Sequence, residues 1–158
     1  MQFVEANRNS AQNINKTALE LKNQQGNVFV NISYQPDYIE AKWHGHITAD
    51  EVVTAAIAYL QLIQEHSCPK LLNDKTEVTG DWQDANDWLE FEWLPKVRAA
   101  GLKYLAHVYS QNIFSRLSAR DLIERVSPEL MMRNFFNREE AINWLQQCTM
   151  PGGNRQSA

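Results

Sequence analysis

After two strand-like runs, the chain alternates helix and strand to its end, and that order leaves few folds open. Val28, Val30 and Ile32 alternate with Phe29, Asn31 and Ser33, the period-two pattern of a strand. Gln35-Pro36-Asp37 is turn chemistry, with proline presetting φ and aspartate bonding local backbone. Ile39, Ala41 and Trp43 then alternate with Glu40, Lys42 and His44, which reads as the returning strand of a hairpin with one apolar and one wet face.

Thr48 and Glu51 stand three apart, a capping box that satisfies the orphan N–H groups of a helix start. Val52, Val53, Ala56, Ile57, Tyr59, Leu60 and Ile63 follow at helical spacing through about Glu65. Pro69 cannot continue that helix, and Lys70-Leu71-Leu72-Asn73 reads as a short buried strand, with Thr76 to Gly80 as a turn. The run ANDWLEFEWLPKVRAAG predicts a helix that kinks at Pro95 or restarts there with proline in its first turn. Gly101 suits the stop. Lys103 to Tyr109 is a further strand, and a third helical region restarts near Ala119, where Ser118 and Asp121 favour a helix start. Leu130 to Phe136 is the last strand, and Asn137 opens a helix whose Ala141, Ile142, Leu145 and Cys148 face inward. Strands that alternate with helices pair in parallel through right-handed crossovers. The expectation is an α/β fold: a mixed β-sheet with an N-terminal antiparallel hairpin followed by helix–strand crossovers.

The chain has 158 residues, enough for one ordinary domain. Residues 27–148 carry the pattern. Residues 1–26, rich in Asn and Gln, read as a mobile polar leader, although Leu19 and Leu21 alternate with polar neighbours as a strand would. Residues 149–158 read as a disordered tail of turn formers. A formal charge of −4 argues against a dedicated nucleic-acid binder, which usually carries a basic patch. Two cysteines, Cys68 and Cys148, make no disulfide framework or metal-ligand spacing. The N-terminus lacks the pattern of a secretory signal, and no apolar run approaches the roughly 20 residues of a membrane span. A cytoplasmic location is expected.

Three segments, IEAKWHGHITADEV (Ile39 to Val52), IFSRLSARDLIERV (Ile113 to Val126) and FFNREEAINWL (Phe135 to Leu145), together with the strand order, cover roughly Val28 to Leu145. Over that stretch the chain resembles the SpoIIAA-like, STAS-type domains of anti-sigma factor antagonists. It looks most like the small bacterial SpoIIAA-like proteins, a group also compared with CRAL-TRIO lipid-binding domains. In the antagonists a D-S-[ST]-G turn starts a helix, and its first serine accepts phosphate from a partner kinase. Glu77-Val78-Thr79-Gly80 is the equivalent turn here. Val78 stands in the phosphoacceptor place and has no hydroxyl, so the resemblance implies that the usual switch is missing. A shifted register would offer Thr76 or Thr79 instead, with Glu77 and Asp81 repelling an added phosphate.

Other residues are candidates on their chemistry. Asp74, His107 and Tyr109 lie near strand C-terminal ends, where open α/β sheets bind ligands; a solvated strand end and a satisfied histidine is the competing reading. Trp82, Trp88, Phe91 and Trp93 crowd one segment, either as core or as an aromatic surface for a partner. His44 and His46 share one strand face, and two imidazoles fall short of the four ligands of a closed zinc site, so no metal is expected. GxSxG, HExxH, Walker A and GxGxxG are all absent, and no cofactor is implied. The sequence therefore points to a non-enzymatic regulatory domain that binds a protein partner or a second copy of itself, with Thr76, Thr79, Gly80, Trp82 and Trp88 as candidate contacts. The alternative is a carrier or sensor of a small apolar or lipid-like molecule.

Overall fold

In the computed structural model, described for residues 2–3 and 18–149, seven strands form one sheet in the order of the chain. They are β1 (Gln2–Phe3), β2 (Ala18–Lys22), β3 (Val28–Tyr34), β4 (Ile39–His46), β5 (Lys70–Thr79), β6 (Tyr104–Val108) and β7 (Met131–Phe135). The first three pairings are antiparallel and the last three parallel. The hairpin followed by crossovers is thus as the segment order requires.

Three expectations change. The leader expected through Gly26 yields at Ala18 to β2, which pairs with β3 through Leu21 opposite Val30; the alternation of Leu19 and Leu21 was its signal. Residues 4–17 and 150–158, where the rest of the leader and nearly all of the tail would fall, lie outside the described residues. The strand expected over Lys70–Asn73 runs on to Thr79, so Thr76 to Gly80 is not a turn. Beyond Asp74 its partner is β4 alone, with His46 opposite Thr79. The third helix does not restart at Ala119. It runs unbroken as α4 (Ile113–Val126) from the cap Asn112, whose side chain accepts the Ser115 N–H.

Helix α1 (Ala49–His66) starts with the expected capping box. Residues 83–99 form a composite helix: a 3-10 turn (Gln83–Ala85), α2 (Asn86–Trp88), a π-helical turn (Leu89–Trp93) and α3 (Leu94–Ala99). The π turn stands where Pro95 withholds an N–H from the helix ladder. It brings Leu89, Trp93 and Leu94 to the core and leaves Phe91 outside. Gly101, at φ +106°, ends the segment as expected.

Crossovers of one hand, stepping in one direction, put α1, the composite helix and α4 on the same sheet face. There they bury Ile39, Ala41, Trp43, Leu71 and Leu105. Helix α5 (Arg138–Gln147), capped by Asn137, covers the other face over Leu72, Ala106, Val108 and Phe135. Among the described residues no helix is long and apolar enough to cross a membrane, and Cys68 and Cys148 are free.

Candidate functional site

The chain leaves β6 for one face of the sheet and β7 for the other, because α4 and α5 lie on opposite sides. Diverging exits of this kind open a crevice at the strand C-termini. Tyr109 and Phe136 flank it, with ring centroids 5.0 Å apart, and the Tyr109 N–H donates to the Phe135 carbonyl at 2.8 Å.

Behind Tyr109, on the face covered by α4, lies a chain of buried polar groups. His107 is fully buried and meets the Tyr109 ring edge-on at 5.9 Å. On the neighbouring strand its register partner is Asn73. The Asn73 carbonyl oxygen accepts from the Trp43 indole N–H, so its amide N–H is turned to His107 Nδ1, at 3.4 Å. Nδ1 is then the acceptor, and the ring proton sits on Nε2. Burial, followed by the charge of Lys75, holds the His107 pKa well below its usual value, which keeps the ring neutral.

Lys75, two residues beyond Asn73 on the same face, is also buried. Its Nζ lies 3.4 Å from the ring centroid of Trp82 and 4.7 Å from that of Trp43. Among the described residues no carboxylate forms an ion pair with it. The two indole faces favour the cation, and burial pushes its pKa well below the usual lysine value.

Asp74 points to the opposite face, its register partner being Val108 rather than His107. There it accepts from the Thr76 N–H at 3.0 Å and from Arg138 Nη1 at 2.9 Å. Arg138 also pairs with Glu40. Burial raises the Asp74 pKa, but the bonds from Thr76 and Arg138 outweigh it, and the net shift is downward. Asp74 and His107 therefore cannot form one acid–base pair, and Asp74 is separate from the crevice that His107 and Tyr109 share.

The residues expected to meet a partner divide. Thr76 and Thr79 are exposed on the extended end of β5; Thr76 is engaged with Asp74, and the Thr79 hydroxyl lies 3.2 Å from His46 Nδ1. Val78, in the phosphoacceptor place, is buried within the strand. Gly80 has φ +112°, and a Cβ there would sit 2.5 Å from the Ile47 carbonyl oxygen, so only glycine fits. Its N–H donates to the Asn112 side chain at 3.3 Å, which joins the end of β5 to the start of α4.

Trp82 is a core residue and not a docking anchor. It is fully buried, its indole N–H donates to Ser115 Oγ at 3.0 Å and its backbone N–H to Ser118 Oγ at 3.2 Å. Trp88 is half-buried against the same core. Trp93 packs edge-on to Tyr59 and donates to the Ala56 carbonyl. Of the aromatics in that segment, Phe91 is the exposed one.

Two features escaped the sequence reading. On α4, Ile113, Phe114 and Leu117 are exposed, and Phe136 is exposed beside Tyr109. The serines at 115 and 118 were the available signal, since small residues mark the buried side of that helix and turn its large apolar residues outward. His44 bridges Asn31 at 2.8 Å and Glu77 at 3.2 Å on the wet sheet face; among the described residues no three His, Cys, Asp or Glu side chains are grouped to hold a metal.

Two described surface depressions are open to solvent. One of about 380 Å³ is lined by Asn137, Arg138, Glu139 and Ile142. The other, of about 300 Å³, lies between Arg98, Tyr104, Pro128 and Met131.

No family model matches the sequence, and no curated protein matches it. Among solved structures the chain is similar to a crystal structure of an uncharacterised protein from the DUF3478 family with a SpoIIAA-like fold, from Shewanella loihica PV-4. The two share 20% identity over 73% of this chain and 91% of that one, with a TM-score of 0.45.

Proposed function

We propose that the protein is a non-enzymatic regulatory module that docks a protein partner on the outer face of α4. The observation that carries this reading is the exposure of Ile113, Phe114 and Leu117, at 49%, 57% and 46%, in the first two turns of one helix. Large apolar side chains gathered on an exposed helix face are typical interface anchors. The end of β5 borders this face through the bond from Gly80 to Asn112, so Thr79 stands at its margin.

Charge narrows the partner. From Ile113 to Arg120 the only charged residues are Arg116 and Arg120, in a chain whose net charge is −4. Among the described residues Arg98, Arg125 and Arg138 are ion-paired with carboxylates, whereas Arg116 and Arg120 are not. A segment with apolar anchors and flanking carboxylates complements this surface.

Capture from the host lysate with wild-type protein, Phe114→Asp and Phe91→Asp, followed by calorimetry of the purified pair, tests the reading. A binary complex that persists with Phe91→Asp and weakens at least about a hundredfold, roughly 3 kcal/mol, with Phe114→Asp supports it. A complex indifferent to Phe114→Asp overturns it.

A further inference from the structure

The sheet ends at β7, whose neighbour among the described strands is β6 alone. The Met131 N–H donates to the Lys103 carbonyl at 3.1 Å, and the Phe135 carbonyl accepts from the Tyr109 N–H. In a parallel ladder alternate residues of a strand bond to the same neighbour, so Met131, Arg133 and Phe135 are turned to β6. Met132, Asn134 and Phe136 present their backbone groups to the open side. The Met132 N–H is held by the Leu130 carbonyl at 3.0 Å. That leaves the Met132 carbonyl, both Asn134 groups and the Phe136 N–H facing outward, and among the described residues none of them has a backbone partner. Sheets commonly blunt such an edge with a proline, a bulge or a lysine. Here the strand reads MMRNF and pairs with β6 without a break in register. Helix α5 turns back over β6 and β5, and Met131, Arg133 and Phe136 are exposed along the edge.

We propose that a second copy of this chain pairs with β7 in antiparallel fashion, about a two-fold axis through Asn134, and continues the sheet from one molecule into the next. The residues of the edge select that occupant and that register. Centred on Asn134, the pairing lets each Asn134 exchange N–H and carbonyl with its twin, and each Phe136 N–H donates to the Met132 carbonyl of the other copy. It asks for no group that is already bonded. Arg133 stands opposite Phe135 of the second copy, so the guanidinium, which lies 5.4 Å from the ring of its own Phe135, gains a second ring and meets no like charge. Centred on Arg133, the two guanidiniums would oppose each other. Centred on Met132, the ladder would need the N–H that Leu130 holds. The exposed Phe136 ring is carried onto the other copy beside Met132, which removes it from water. A strand of five residues makes a small interface, so the dimer is a weak one. This edge is separate from the outer face of α4, and the proposal does not rest on that face.

The full chain is weighed by sedimentation equilibrium from about 10 μM to 1 mM, the range of a weak complex, and amide exchange is followed by NMR at both ends of that range. The expected result is a monomer–dimer equilibrium, with the Asn134 and Phe136 amides exchanging at least about twofold more slowly at the higher concentration, by mass action. Phe136→Asp, at an exposed position, weakens the dimer at least about tenfold, whereas Phe114→Asp on α4 leaves it unchanged. The amide protection is read on wild-type protein and needs no variant to fold. A monomer throughout, which would leave the edge to a foreign strand, overturns the proposal. So does a dimer whose Asn134 amide stays unprotected, or one lost with Phe114→Asp and kept with Phe136→Asp.

Discussion

Asp74 and His107 stand on adjacent strands one register step apart and point to opposite faces of the same sheet. One is a buried carboxylate fixed by Arg138 beneath α5. The other is a buried neutral imidazole facing α4. Any chemistry that joined them would have to pass through the sheet, so each acts in its own surroundings.

On the α5 face, the Asp74–Arg138–Glu40 cluster makes stability depend on acid. The Asp74 pKa is lower folded than the 3.8 of a free aspartate. Its contribution is therefore complete above about pH 3.8 and lost as pH falls through the lower folded value. Arg138→Ala should cost about 2 kcal/mol at neutral pH and flatten the acid limb of the stability curve. Urea unfolding between pH 2 and 7 checks this; an unchanged acid limb would sink it.

Lys75 gives the opposite pH dependence. Its folded-state pKa lies below the ordinary 10.5, so between the two values the unfolded chain holds more protons and stability rises with pH. Lys75→Met keeps the stem against Trp43 and Trp82 and removes the buried amine. It should raise the melting temperature by roughly 2–4 °C at pH 7, about 1 kcal/mol for a chain of this length, and abolish the alkaline rise. A lower melting temperature would show instead that the indole contacts outweigh the burial of the charge.

Gly80 and Gly45 separate backbone strain from steric collision. Both have positive φ, but a Cβ at Gly45 meets nothing within 4 Å, while one at Gly80 strikes the Ile47 carbonyl. Gly45→Ala should cost about 1 kcal/mol and Gly80→Ala at least about 3 kcal/mol, because the latter must also part the ends of β4 and β5. Equal costs in denaturant unfolding would contradict the collision.

Leu145, a residue of α5, is fully buried in the cluster between that helix and the sheet. Leu145→Ala should cost about 2–5 kcal/mol, and hydrogen exchange should quicken in β6 and β7 before β3 and β4. Uniform loss of protection across the sheet would argue that the α5 face has no separate local stability.

Much of this architecture was legible because it is written in short-range patterns. Thr48 and Glu51 announce α1, Asn137 announces α5, and Ile39, Ala41 and Trp43 declare which side of β4 is inward. The extent of β5 was not legible: Thr76 to Gly80 has turn composition, yet His44 to His46 offer it a parallel partner, and inter-strand bonds outweigh local preference. Nor was the burial of Trp82, since only the arrival of Ser115 and Ser118 opposite it closes that indole from water.

Local periodicity by itself determined the order of strands and helices, the mixed sheet and the faces turned inward, because side-chain alternation and capping act between near neighbours. Tertiary structure alone decided that His107 bonds Asn73 and shares its sheet face with Asn134 rather than Asp74, and that Phe114 is left outside while Trp82 is enclosed. Those outcomes depend on register between strands and on which small residues let helices approach, and both are set by partners 27 to 36 positions away in the chain, beyond the reach of any local pattern.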